Sequence, residues 1–154
     1  MTAENNKKMS RRFLEEAFSQ GNMNVIDEVF ATNHMNRGPA AMPGMPNGPE
    51  GMRQFVSYYR KAFPDTTFTI DEQIAEGDRV VTRWTAHGTN TGEMPGVGIP
   101  VTGKSATVTG VTVDRFANGK IVESWGIFDQ MGMMQQLGVI PSQTQGSQQG
   151  QNRR

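Results

Sequence analysis

The chain has 154 residues, 15 basic and 15 acidic side chains, 35% hydrophobic residues and no cysteine. That length fits one domain with a real core, and the cancelled charge supplies no field to recruit nucleic acid or an anionic membrane. Without Cys there are no disulfides, thiolate metal ligands or Cys nucleophile, and with only His34 and His87 as imidazoles no metal site is expected. The polar stretch from Met1 to Arg12 lacks the apolar run of a signal peptide, and no window approaches a membrane span. A cytoplasmic protein is expected, with a small molecule or a second copy of itself as partner.

From about Asn6 to Gln20, Met9, Phe13, Leu14, Ala17 and Phe18 recur at helical spacing, and Gly21 supplies the stop. A short second helix is predicted from Val25 to Ala31, with Asn24 as N-cap. The Pro- and Gly-crowded segment from Asn33 to Gly48 reads as a long ordered loop. Pro49 opens a third helix, with Met52, Phe55, Val56, Tyr59 and Phe63 on one face, and Pro64 ends it.

After Pro64 the period changes from 3.6 to 2, which predicts strands over Thr66 to Ile74, Arg79 to Thr89, Ser105 to Phe116 and Lys120 to Phe128. Gly77-Asp78 and Asn118-Gly119 are hairpin signals, the second suited to a type I′ turn, so successive strands pair antiparallel. The loop from Gly92 to Pro100 carries Met, Val and Ile, and is expected to fold over a pocket. Residues 142–154 are Gln, Ser, Gly and Arg without an apolar anchor, which predicts a disordered polar tail after a single domain of residues 1–141.

The last strand ends on Asp129, followed by a short helix through Gln136. An isolated acid at the inner end of a strand rich in Ile, Trp and Phe would be partly desolvated, raising its pKa toward the range useful for proton transfer, so Asp129 is the expected catalytic group. Asp is also a frequent N-cap, here for the helix that begins at Gln130, and the two roles are not exclusive. Trp125 shares its strand face and is a candidate pocket wall. Arg83 and His87 share one face of an earlier strand, and His34 sits in the Pro-rich loop near the expected pocket mouth; all three are candidate ligand contacts.

Three helices followed by an antiparallel meander predict an α+β domain. The element order, the run His87-Gly88-Thr89-Asn90-Thr91-Gly92-Glu93-Met94, the turn Pro100-Val101-Thr102-Gly103-Lys104, the hairpin Arg115-Phe116-Ala117-Asn118-Gly119-Lys120-Ile121, and Asp129 with Gln136-Leu137-Gly138 together resemble the SnoaL-like polyketide cyclases of the nuclear-transport-factor-2-like superfamily. The resemblance covers roughly Met9 to Ile140.

It implies a cone-shaped α+β barrel in which three N-terminal helices pack on a curved, mainly antiparallel sheet around an apolar pocket, with a second copy covering the open sheet face as a homodimer. It also implies a cofactor-independent, acid/base cyclisation or isomerisation of an apolar or aromatic carbonyl compound, with Asp129 in the place of the family's aspartate. Arg115 stands where the cyclases carry a histidine, and Arg, always protonated, can stabilise an enolate but cannot relay a proton. Two alternatives within the fold stay open: a noncatalytic small-molecule-binding protein, and an enzyme resembling the limonene-epoxide hydrolases, whose Arg-Asp spacing is incomplete here because Thr85 follows Arg83. The steroid isomerases of the superfamily use a Tyr and a protonated acid as an oxyanion hole, roles for which Tyr59 and Asp114 are available.

Overall fold

The computed structural model describes residues 2–97 and 100–141. The amphipathic first segment forms α1 (Ala3–Arg12), capped by the Thr2 hydroxyl, and continues without a break as a π-helical stretch (Phe13–Ser19). The wider π turns bury Phe13, Leu14, Ala17 and Phe18 together. Then follow α2 (Asn24–Val29), β1 (Phe30–Asn36), α3 (Pro49–Ala62), β2 (Thr67–Glu76), β3 (Arg79–Thr89), β4 (Ser105–Ala117), β5 (Lys120–Phe128) and α4 (Gln130–Gln136).

The α+β class expected from the sequence is found: helices lie against one curved, unclosed sheet of five strands in the order β1-β5-β4-β3-β2. Four strands were expected, and the fifth, β1, is a correction. Phe30 and Ala31 belong to it rather than to the second helix, and it takes the first four residues of the expected loop. It pairs parallel with β5, from which it is separated by most of the chain, so no hairpin signal announces it. The loop that follows runs along β5, with Arg37 N donating to Ser124 O and Ala40 N to Gly126 O.

Asn118 and Gly119 both have positive φ, as a type I′ hairpin requires. Next to that turn, β4 and β5 slip by one residue: Arg115 faces Glu123 but Phe116 faces Ile121, leaving Val122 as a bulge. The slip decides which β5 side chains point inward. Ser124, Gly126 and Phe128 lie on the concave face with Thr112 and Asp114, while Glu123, Trp125 and Ile127 lie on the convex face with Val113 and Arg115.

One core cluster joins the π-helical phenylalanines to Ile26, Phe30, Val56, Val80, Trp84 and Ile121. A second joins Phe63, Met94, Ala106, Val108, Met133 and Leu137. Met94 thus anchors the second Pro/Gly loop. Asn90 holds the loop's base, donating to Ala62 O and Gly92 O and accepting from Thr102 N and Oγ1. Gly98, Ile99 and the expected polar tail lie outside the described residues. No helix among the described residues is long and apolar enough to cross a membrane.

Candidate active site

Between the concave sheet face and the helices lies a cavity of ≈ 120 Å³, walled mainly by aromatic and aliphatic side chains from the π-helical stretch, α3 and the three central strands. Phe13, Phe18, Phe55, Tyr59, Phe68, Trp84 and Phe128 all contribute, several in edge-to-face contact. An apolar cavity of ~150 Å³ holds a benzene-sized molecule, so this one takes a single ring, and because it is partly open a substituent on that ring can extend beyond it.

Among the described residues one acidic side chain lines this cavity, Asp114. It is 4% exposed, and its carboxylate accepts Ser10 Oγ–H at 2.8 Å and Ser124 Oγ–H at 3.0 Å. Burial pushes its pKa up to about 6, against the lowering pull of the two hydroxyls. Behind Ser124 stands His34, 1% exposed, with Nε2 2.9 Å from Ser124 Oγ and its ring against Phe30. Since the Ser124 hydrogen goes to ionised Asp114, Ser124 Oγ is left as acceptor and His34 carries its hydrogen on Nε2. Desolvation lowers the His34 pKa to about 4, so the imidazole is neutral at physiological pH.

The expected site residues divide between the two faces of the sheet. Asp129 does not point into the cavity: it is exposed, and its Oδ1 accepts the Gly132 N–H at 2.9 Å as the N-cap of α4. The desolvation anticipated for it therefore does not occur. Arg115 and Trp125 lie on the same convex face, because the bulge at Val122 cancels the alternation that would have separated Arg115 from Asp129. Arg115 pairs with Glu123, which is also bound by Arg37, and Trp125 carries the Arg79 guanidinium 5.5 Å from its ring centroid.

Arg83 is exposed, paired with Asp71 and Glu72. His87 lines one end of the cavity, but it is exposed and its ring is bonded to Thr107 Oγ1. His34 is buried within β1 rather than at a pocket mouth. Tyr59 does line the cavity, and burial pushes its phenol up to about 12.

Sequence reasoning gave little weight to Asp114 and none to Ser10, Ser124 or Thr112. The one available signal is Asp114 itself, a carboxylate on a strand face that also carries Val108, Gly110 and Phe116. Among the described residues no three His, Asp or Glu side chains converge as a metal site requires.

The family profile for SnoaL-like polyketide cyclases matches residues 8–137 of this chain, nearly its whole described length. The chain belongs to the SnoaL-like polyketide cyclase family. Solved members of this fold agree. IdmH of Streptomyces antibioticus, a candidate polyketide cyclase, is 32% identical, with a TM-score of 0.72 over 86% of this chain and 98% of that one. A candidate polyketide cyclase from Acidithiobacillus ferrooxidans is 31% identical, with a TM-score of 0.75 over 90% and 99%. TsrD from Streptomyces laurentii is 26% identical, with a TM-score of 0.81 over 91% and 99%. No curated protein matches the chain by sequence. SnoaL-like membership and the cone fold together support cyclase- or isomerase-type function in general.

Proposed function

We propose that this SnoaL-like protein catalyses cofactor-independent proton transfer at a carbon next to a carbonyl, in a small apolar or aromatic compound, with Asp114 as the acid/base. The observation that carries this reading is a single buried carboxylate, with its pKa raised to about 6, facing an aromatic cavity. A base works best with a pKa near the operating pH, and Asp114 is there while remaining mostly ionised at pH 7.

In the step, an Asp114 oxygen takes the α-proton. The C–H pair becomes the new C=C bond, and the carbonyl π pair moves to oxygen as an enolate. The protonated Asp114 then returns the proton to another carbon (isomerisation), or gives it to the alkoxide formed when the enolate carbon attacks an internal carbonyl (cyclisation). Ser10 and Ser124 hold the carboxylate in one orientation through both half-steps, and His34 fixes Ser124 from behind.

The test is hydrogen–deuterium exchange of the methyl group of acetophenone in D2O, followed by NMR, with wild type and Asp114→Asn. Catalysed exchange by wild type and its loss in the folded variant are expected. Acetophenone that binds to wild type without exchanging would reduce the protein to a noncatalytic binder of apolar molecules.

We further propose that the convex sheet face is covered by a second copy of the chain. Ile74, Val81, Val113 and Trp125 lie side by side in register across four strands of that face, with Val111 and Ile127 next to them. Ile74 and Ile127 are each 57% exposed, and a contiguous apolar strip of this kind is costly to leave in water.

A further inference from the structure

Thr112 lies two residues from Asp114 on the concave face of β4 and lines the same cavity. Its Oγ1 accepts the indole N–H of Trp84 at 3.1 Å. A hydroxyl that accepts one hydrogen bond still has its own hydrogen to give, and among the described residues that hydrogen has no acceptor. Accepting from the indole also polarises the O–H and makes it the stronger donor. Directly across from Thr112 on β5 is Gly126, where an added Cβ would meet only Ala40 Cβ, at 3.6 Å. The missing side chain leaves space beside the Thr112 hydroxyl.

We infer that Thr112, polarised by Trp84, is the carbonyl anchor of this site. It selects ligands bearing a carbonyl oxygen over hydrocarbon isosteres, and it holds that oxygen as charge develops on it. Residues i and i+2 on one strand face stand roughly 7 Å apart. A carbonyl bonded to Thr112, whose α-hydrogen reaches Asp114, fills that span with contacts of about 3 Å at each end. Two other hydroxyls on the wall are placed less well. The Ser124 hydrogen is committed to Asp114, and Tyr59 packs against Phe128, four residues and roughly 13 Å along β5 from Ser124. The catalytic part of this role rests on the proton-transfer reading of Asp114; the selectivity for carbonyls does not.

The experiment compares acetophenone with α-methylstyrene, which replaces C=O by C=CH2 at nearly constant shape. The ratio of their dissociation constants is measured for wild type, Thr112→Val and Thr112→Ser; comparing proteins cancels the different hydration of the two probes. Thr112→Val, which also removes the acceptor of the Trp84 N–H, is expected to shift the ratio against acetophenone by about fivefold to tenfold, the worth of one hydrogen bond, with any effect common to both probes cancelling in the ratio. Thr112→Ser is expected to keep the wild-type ratio.

An unchanged ratio in folded Thr112→Val would overturn the inference. The carbonyl stretch of acetophenone bound to wild type gives a second reading that needs no variant: it should lie below its value in cyclohexane, and an unshifted stretch also overturns the inference. If the ratio shifts as expected while wild type catalyses no exchange, the carbonyl anchor stands and the proton-transfer reading fails.

Discussion

Ser124 gives its hydroxyl hydrogen to Asp114 at 3.0 Å and is met on its other side by His34 Nε2 at 2.9 Å, so one hydroxyl joins a carboxylate with a raised pKa to an imidazole with a lowered one. The two displacements act on stability in opposite directions. His34, at about 4 when folded, is protonated first in the unfolded chain, so its contribution is lost as pH falls from 6.5 toward 4. Asp114, at about 6 when folded, holds its proton longer in the folded chain, so its contribution is lost as pH rises from 3.8 toward 6.

Each displacement is worth about 3 kcal/mol, so the pair should nearly cancel between pH 4 and 6. Relative to wild type, denaturant unfolding of His34→Gln should show stability declining as pH rises across that window. Asp114→Asn should show it increasing up to about pH 6. Parallel curves for all three proteins would remove the argument for either shift.

Deuterium exchange of acetophenone should increase with pH, with a midpoint at about 6, and level off above it, because the ionised form of Asp114 is the base. The hydroxyls of Ser10 and Ser124 each pull that pKa down, so Ser10→Ala is expected to move the midpoint higher. A midpoint indifferent to Ser10 would mean that another group titrates.

Asp129→Ala should cost about 1 kcal/mol of stability through loss of the α4 cap, and Asp129→Ser should recover most of it. Neither variant should change exchange, because the carboxylate is exposed and its Oδ1 is held by Gly132 N–H. Thermal melts with exchange rates for both variants check this; a rate falling with Asp129→Ala at unchanged stability would return the catalytic role to Asp129.

Gly110 and Gly126 both lie on the concave face but predict opposite outcomes. The Trp84 indole sits where a Cβ at Gly110 would be, so Gly110→Ala should destabilise by about 1–3 kcal/mol through displacement of Trp84. At Gly126 a Cβ would meet only Ala40, in ordinary contact, so Gly126→Ala should fold normally but narrow the space beside Thr112 and weaken acetophenone binding. Calorimetric binding and thermal melts separate the two cases.

Val113→Lys introduces a charge in the middle of the strip Ile74, Val81, Val113, Trp125. Sedimentation should show a dimer for wild type and a monomer for the variant. A monomeric wild type at micromolar concentration would leave the convex face without the proposed partner.

Much of the architecture is local, and local physics is legible in a sequence. The 3.6-residue recurrence of Met9, Phe13 and Ala17 forms a helix, the β-branched runs form strands, and Asn118-Gly119 forms the only kind of turn its positive φ angles allow. The family is legible for the same reason, since its motifs are short runs around turns.

The cavity side of the sheet is decided elsewhere. One bulged residue, Val122, inverts the inward and outward assignment of everything after it on β5, and no residue type at that position announces a slip. So Asp129, Trp125 and Arg115 face outward together, and Ser124 and Gly126 face inward beside Thr112 and Asp114. β1 escapes detection because its partner β5 is remote in sequence, and that pairing is what carries His34 to Ser124. The sequence by itself therefore determined the family and the elements other than β1, through interactions between residues a few positions apart. Only the tertiary structure decided which carboxylate is desolvated, because that depends on strand register and on contacts across the whole chain.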